Sequence, residues 1–375
     1  MSAIAVLPER DTSVRFYRPE LDALRFFAFL GVYASHALVF PPEVWHELHL
    51  PETFSAIPRA GAYGVDLFFL LSAYLITELL LREKEAAGSL NVRKFYIRRI
   101  LRIWPLYFVF LFVCMIPVLN PGREFTWKYL AAFLLLCGNW AVAIWGWGGR
   151  VVNSLWSVSV EEQFYLLWAP VVARLSRRNI ILAAIAMLEV ANLARIGIPY
   201  LFPQVKAMFF WTSTITRLDP IAIGILIAVL LKGRIPTFAG WQRALMSLAG
   251  IGLIVTVEIL SRRPGHSILL QNELYTITAF ACALIFCSTL GIRTTLPGWL
   301  IYLGKISYGL YVFHLLGVFL TDRLLLIPNG LERGALRALI SMAFIIGMAS
   351  LSYRYLEMPF LRLKDKFTRV PSRPV

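Results

Sequence analysis

Leu21-Asp-Ala-Leu-Arg25-Phe-Phe-Ala-Phe-Leu-Gly-Val-Tyr-Ala-Ser-His36-Ala-Leu-Val-Phe-Pro41 is an apolar run that holds an arginine and a histidine. A helix crossing the roughly 30 Å hydrocarbon core needs about 17 to 25 largely apolar residues, so this run is of spanning length. Comparable runs follow at 62–81, 104–120, 155–173, 180–197, 207–231, 243–261, 269–290, 299–321 and 336–356. In lipid each backbone N–H and C=O must be paired within its own segment, which leaves helices as the form of these runs. The expected fold is all-α and polytopic, with about ten transmembrane helices.

Composition agrees. Of 375 residues 58% are hydrophobic and 16% charged, and the mean hydropathy of +0.67 is more than a water-soluble globule of this size hides. The formal charge of +15 could suggest nucleic acid, but its distribution points elsewhere. Segments 1–24, 82–103, 174–179, 232–243, 291–298 and 358–375 carry 22 of the 37 Lys and Arg. By the positive-inside rule they face the cytoplasm, which places both termini there and makes a nucleic-acid partner unnecessary. The first run has no small-residue cleavage pattern behind it and reads as a retained helix. Cys114, Cys137, Cys282 and Cys287 fall inside apolar runs and read as packing residues.

One further run, 128–147, spoils the parity if it crosses. Asn139 and Trp145-Gly-Trp-Gly-Gly149 interrupt it, so it is expected to be re-entrant or interfacial. No repeat or linker divides the chain, and a single domain over 1–375 with no appended soluble module is expected.

Ionisable side chains inside apolar runs are costly and mark candidate sites. Arg25 and His36 are eleven residues apart, about 16 Å of helical rise and near three turns, so they share a face. His36 is the candidate proton acceptor; the alternative is a histidine bonded only to a neighbouring helix while Arg25 reaches headgroups. Asp66, in Gly61-Ala-Tyr-Gly-Val-Asp66, enters from the side His36 approaches, where a carboxylate could orient the imidazole. Glu161 and Glu162 are adjacent in Leu155-Trp-Ser-Val-Ser-Val-Glu-Glu-Gln-Phe-Tyr165 and point about 100° apart, so one can face a cavity while the other pairs with Arg or Gln nearby. Arg217 and Asp219 open another helix, where ion pairing is the cheaper explanation, and His314 reads as a hydrogen-bonded interior residue. Trp156, Glu162, Tyr165 and Arg217 are the candidate substrate contacts. Arg98, Arg99 and Arg102 form a basic cluster, fit either for a cytosolic polyanion or for anionic lipid. No HExxH, CxxC pair or Gly-rich phosphate loop suggests a metal or nucleotide-hydrolysing site.

Together these stretches resemble the acyltransferase-3 family of integral membrane acyltransferases. The resemblance covers nearly the whole chain: Arg25 with His36, Gly64-Val-Asp-Leu-Phe-Phe-Leu-Leu-Ser-Ala-Tyr-Leu-Ile-Thr77, Arg98-Arg-x-x-Arg102-Ile-x-Pro105, Leu155 to Tyr165, Ile306-Ser-Tyr-Gly-Leu-Tyr311 and Glu357-Met-Pro359. Ala73 departs from it, since the family usually has Gly before the tyrosine. The resemblance implies a multi-pass protein of the bacterial inner membrane that moves an acyl group, most often acetyl, from cytosolic acyl-CoA to a hydroxyl of an extracytoplasmic carbohydrate. It makes His36 the catalytic histidine, Arg25 its motif partner, and Arg98, Arg99 and Arg102 the acyl-CoA contacts; the chemistry expected of these residues is that His36 acts as general base with Asp66 or Glu161 orienting it. Direct attack and a covalent acyl-histidine relay both remain open. The rival class is a proton-coupled transporter or flippase of envelope precursors, since buried His, Asp, Glu and Arg also build transport paths.

Overall fold

In a computed structural model the described residues are 17–368 except 41, 48, 50, 117–118, 120–125, 264–267, 293–294 and 325–330. Arg10, Arg15 and residues 369–375, on which the orientation argument draws, lie outside them. In chain order the α-helices are α1 Pro19–Ala37, α2 Pro42–Glu47, α3 Ala56–Ala60, α4 Gly64–Ala87, α5 Val92–Val113, α6 Trp127–Leu134, α7 Gly138–Trp145, α8 Trp156–Arg174 and α9 Arg177–Leu201. They continue with α10 Ala207–Thr212, α11 Leu218–Leu231, α12 Gly240–Ser261, α13 Ile268–Thr289, α14 Gly298–Lys305, α15 Ser307–Leu324, α16 Leu331–Ser352 and α17 Met358–Asp365. No strand occurs among the described residues.

Among the described residues five helical stretches are long and apolar enough to cross a membrane: Thr53–Ala87, Arg177–Leu201, Gly240–Ser261, Leu270–Thr289 and Gly334–Asp365. A sixth candidate is the pair α14 and α15, bent by 72° where Ile306 breaks the helix. These cover six of the ten expected runs, and the chain is a multi-pass membrane protein. The other four runs are more polar or shorter. α1 carries Glu20, Asp22 and Arg25, α5 opens on a basic turn, α8 holds Glu161 and Glu162, and 207–231 splits into α10 and the fourteen-residue α11. At that split Thr216 Oγ1 donates to the Phe210 carbonyl at 2.9 Å, which satisfies a backbone group the interruption frees.

The run 128–147 also divides, into α6 and α7 of eight residues each. A helix of eight residues rises about 12 Å, too little to span. Asn139 is fully buried and donates to the Thr212 carbonyl at 3.2 Å and to Thr214 Oγ1 at 3.0 Å, while Gln163 of α8 donates to Asn139 Oδ1 at 2.9 Å. The polar residue that interrupts the run therefore ties it to α8 and α10.

The helices are not equally enclosed. In α4 78% of the apolar stretch is buried, against 22% in α9 and 17% in α12, so α4 is central and the other two present apolar faces outward. α1 packs against α4, α14 and α15. Two glycines allow its close approach. A Cβ at Gly61 would lie 2.1 Å from the Gly31 carbonyl oxygen, and one at Gly304 would lie 2.1 Å from that of Asp22. Their missing side chains let backbone meet backbone at both ends of α1.

Gly61→Val is expected to cost about 3 kcal/mol, since overpacking a closed contact forces backbone shifts. Gly252→Val, with nothing within 4 Å of its Cβ, should change stability by less than about 0.5 kcal/mol. Thermal unfolding of the detergent-solubilised variants measures both.

Candidate functional site

The intramembrane charges fall into a paired set and an unpaired set. Among the paired, Arg217 is buried and its NH2 donates to Asp66 Oδ2 at 2.7 Å. The guanidinium also lies over the rings of Trp211 at 4.6 Å and Tyr275 at 5.3 Å. Arg195 donates to both oxygens of Asp219, at 2.5 and 2.9 Å, and to Asn272 Oδ1 at 2.7 Å. The ion pairing expected of Arg217 and Asp219 thus exists, with Asp66 and Arg195 as the partners. The expectation that Asp66 orients His36 is corrected: its carboxylate is held by Arg217, and no contact joins it to the imidazole among the described residues. Arg217 is likewise corrected as a substrate contact, because it is sealed behind Trp211 and Tyr275.

Arg98 belongs to the same paired set. It is buried, its NH2 lies 2.6 Å from Glu83 Oε1, and its NH1 donates to the Phe367 carbonyl at 2.9 Å. It joins α4, α5 and the turn after α17, so it is a structural cation and not a free donor contact. Arg99 and Arg102, three residues apart and hence on one face, point instead into a cavity of about 160 Å3. Arg102 has no ion pair among the described residues, and Arg99 lies over the rings of Phe95 and Tyr165 at 5.6 and 5.8 Å.

That cavity, at the Arg25 end of α1, gathers Arg25, Arg99, Arg102, Glu161 and Tyr165. Arg25 donates to Asp22 Oδ1 at 3.0 Å. Glu161 accepts from Ser72 Oγ at 2.9 Å and from the Tyr165 hydroxyl at 3.0 Å. It therefore does not orient His36 either, and that expectation is corrected. Glu162 faces away: its Oε2 accepts from the Trp104 indole at 2.8 Å, so its partner is an indole where Arg or Gln was expected, and it is not placed to meet substrate.

His36 lies at the other end of α1, exposed although helices surround it, because its ring lines two cavities. One, of about 350 Å3, is lined by Trp147, Trp156, Trp211, Asn153 and His314. The other, of about 600 Å3, is lined by Arg59, Tyr63, Trp211, Glu258 and Tyr275. His36 makes no hydrogen bond or ion pair among the described residues; its ring neighbour is His314, centroid to centroid 5.2 Å. His314 was expected to be merely hydrogen-bonded within the protein. Its Nδ1 does meet the Tyr311 carbonyl at 2.5 Å, but the spacing of residues carries no signal that its ring lies beside that of His36.

Tyr311 and Val65 line both the Arg25-end cavity and the 350 Å3 cavity of His36. Tyr311 OH and Ser157 Oγ are 2.7 Å apart. This hydrogen-bonded pair, with Val65, forms the partition between a cation-lined chamber and a histidine-lined one.

Removing one member of the buried Asp66–Arg217 pair should be costly, and removing both much less so. Asp66→Leu alone is expected to lose about 3 to 5 kcal/mol, most of it regained in the Asp66→Leu, Arg217→Met double variant. Chemical or thermal unfolding in detergent checks this; equal losses in both would remove the pairing argument.

Residues 18–354 match the acyltransferase-3 family, described as Acyltransferase domain. The chain is similar to "Peptidoglycan O-acetyltransferase OatA" of Listeria monocytogenes serovar 1/2a, 26% identical over 375 residues, covering 92% of this chain and 56% of the relative. It is also similar to "O-acetyltransferase OatA" of Staphylococcus aureus strain NCTC 8325, 25% identical over 374 residues, covering 92% of this chain and 57% of the relative. The chain thus spans little more than half the length of these curated relatives. No solved structure matches. With nine-tenths of its length aligned to such relatives, and the family match running from before Arg25 to beyond His314, the chain belongs to the acyltransferase-3 family.

Proposed function

We propose that the chain transfers an acyl group, acetyl in the first instance, from cytosolic acyl-CoA to a hydroxyl of an extracytoplasmic cell-envelope carbohydrate, with His36 as general base. The observation that carries this reading is the pair of chambers meeting at Tyr311, one lined by unpaired arginines and the other by an exposed histidine. The names of the relatives, O-acetyltransferases and in one case a peptidoglycan O-acetyltransferase, support the acyl group and the glycan acceptor.

The donor's chemistry suits the Arg25-end chamber. Coenzyme A is polyanionic, and guanidinium groups bind phosphate through charge-assisted, often bidentate hydrogen bonds. Arg99 and Arg102 would hold its phosphates at the mouth. The cavity of about 160 Å3 is below the several hundred Å3 of an ordinary ligand pocket, so the nucleotide would stay at its mouth and only the pantetheine arm would enter. The Tyr311–Ser157 contact would then yield so that the thioester reaches the His36 chamber. There the imidazole takes the proton from the acceptor hydroxyl as its oxygen attacks the thioester carbon. The new C–O bond forms, the C–S bond breaks, and the proton leaves with the thiolate as the free thiol. Trp156, whose ring meets Trp211 at 6.4 Å, walls the acceptor side of this chamber. Tyr165, bonded to Glu161, walls the donor side.

Purified protein in vesicles, given radiolabelled acetyl-CoA and a soluble glycan acceptor, is expected to release CoA and label the glycan. His36→Ala should lower the rate about 100- to 10,000-fold, with folding checked by gel filtration; near-normal labelling would reject the assignment. A transporter would consume no acetyl-CoA at all.

Arg99→Gln and Arg102→Gln should each raise the donor KM about tenfold or more, the value of one charge-assisted hydrogen bond, with kcat within about twofold. Arg98→Gln should chiefly lower the unfolding temperature. Donor saturation curves that do not change in the first two would make the chamber's arginines a lipid contact.

A further inference from the structure

The proposed chemistry leaves one residue of the chamber unexplained. His314 is 1% exposed, and its ring Nδ1 lies 2.5 Å from the Tyr311 carbonyl oxygen, one turn back along α15. A carbonyl oxygen only accepts, so Nδ1 carries the hydrogen, and in the neutral ring Nε2 is then a bare acceptor. That Nε2 is buried with no hydrogen-bond partner among the described residues. A buried acceptor left unmet is costly, and a donor is expected to face it.

Two rings lie 5.2 Å from His314, centroid to centroid, those of Tyr311 and His36; the Tyr311 hydroxyl is engaged with Ser157, and His36 is the one with an N–H to offer. The two histidine centroids are 5.2 Å apart with 45° between the ring planes, and both rings line the same chamber. Two imidazoles joined through an N–H···N bond of about 2.9 Å have their centres roughly 5 Å apart. The separation is therefore already that of a bonded pair, and only the ring orientation must change. Rotation about χ2 of a histidine is soft. His36 is exposed and otherwise unbonded among the described residues, so the turn breaks no hydrogen bond. The carboxylates that could have taken the orienting place are engaged, Asp66 by Arg217, Glu161 by Ser72 and Tyr165, and Glu258, which lines the larger cavity of His36, by Arg59 and Arg262.

We propose that His314 is a positioning residue whose Nε2 accepts a hydrogen bond from one ring N–H of His36, leaving the other His36 nitrogen bare and turned toward the acceptor hydroxyl. This rests on His36 being the general base. As His36 takes the hydroxyl proton, the N–H it shares with His314 becomes part of an imidazolium, whose charge the Nε2 lone pair stabilises. His314 keeps its own Nδ1 proton on the Tyr311 carbonyl throughout. It does in neutral form what a carboxylate does in hydrolytic triads.

The test reads the tautomer of His36 separately from turnover. With 15N-labelled histidine rings, assigned by loss of signal in His36→Gln, the His36 nitrogens should show one protonated and one bare resonance. His314→Asn can keep the bond to the Tyr311 carbonyl but has nothing at the Nε2 position; it should average the two His36 resonances. It should also lower kcat about 10- to 100-fold with KM little changed. His314→Gln, whose side-chain oxygen reaches the Nε2 position, should restore the single tautomer and most of the rate. An unaltered His36 spectrum in His314→Asn overturns the proposal whatever the rate does. A spectrum that averages as expected, in a protein that never transfers acetyl, supports the hydrogen bond and overturns the acyl-transfer reading instead.

Discussion

Inside hydrocarbon a charged or hydrogen-bonding group is tolerated only when it is paired or faces water. That constraint sorts this molecule. Arg217 with Asp66, Arg195 with Asp219 and Arg98 with Glu83 are buried pairs that join helices. Arg99, Arg102 and His36 lack such partners among the described residues, and each lines a cavity. The paired groups hold the helices in place, and the unpaired ones mark where polar molecules can enter.

The two chambers follow from the path of α1. Gly61 and Gly304 bring neighbouring backbones against its two halves, so Arg25 and His36 are fixed at opposite ends of one helix. Their separation of eleven residues is about 16 Å, and the Tyr311–Ser157 contact lies between the chambers they line. An enzyme whose donor and acceptor approach from opposite faces needs such a divided route. A single open pore would pass water and ions along with substrates.

Much of this was legible in the residues. Helical character follows from the length of the apolar runs, and the interruption at 128–147 follows from Asn139, which proves to be a buried anchor. The partners were not legible. Depth along a helix can be counted, but which neighbour a side chain meets depends on packing between distant segments. Asp66 is a place where counting and packing diverge: it enters from the His36 side, yet it meets Arg217, 151 residues away. The basic cluster shows the same limit more gently. Arg99 and Arg102 share a face by their spacing, but only the helix packed beside α5 reveals that Glu83 claims Arg98. His314 reads from the sequence as a hydrogen-bonded interior residue, which its Nδ1 is, but a lone histidine in an apolar helix carries no mark of what surrounds its second nitrogen.

The central claim is that one histidine and one pair of arginines are reached from opposite sides of the membrane. Single cysteines introduced as His36→Cys and Arg102→Cys, with Cys114, Cys137, Cys282 and Cys287 replaced, can be probed in oriented vesicles by a membrane-impermeant thiol reagent. The account predicts labelling at position 36 from the outer face only and at position 102 from the cytoplasmic face only. Labelling of both from one face, or of neither from any, would contradict it.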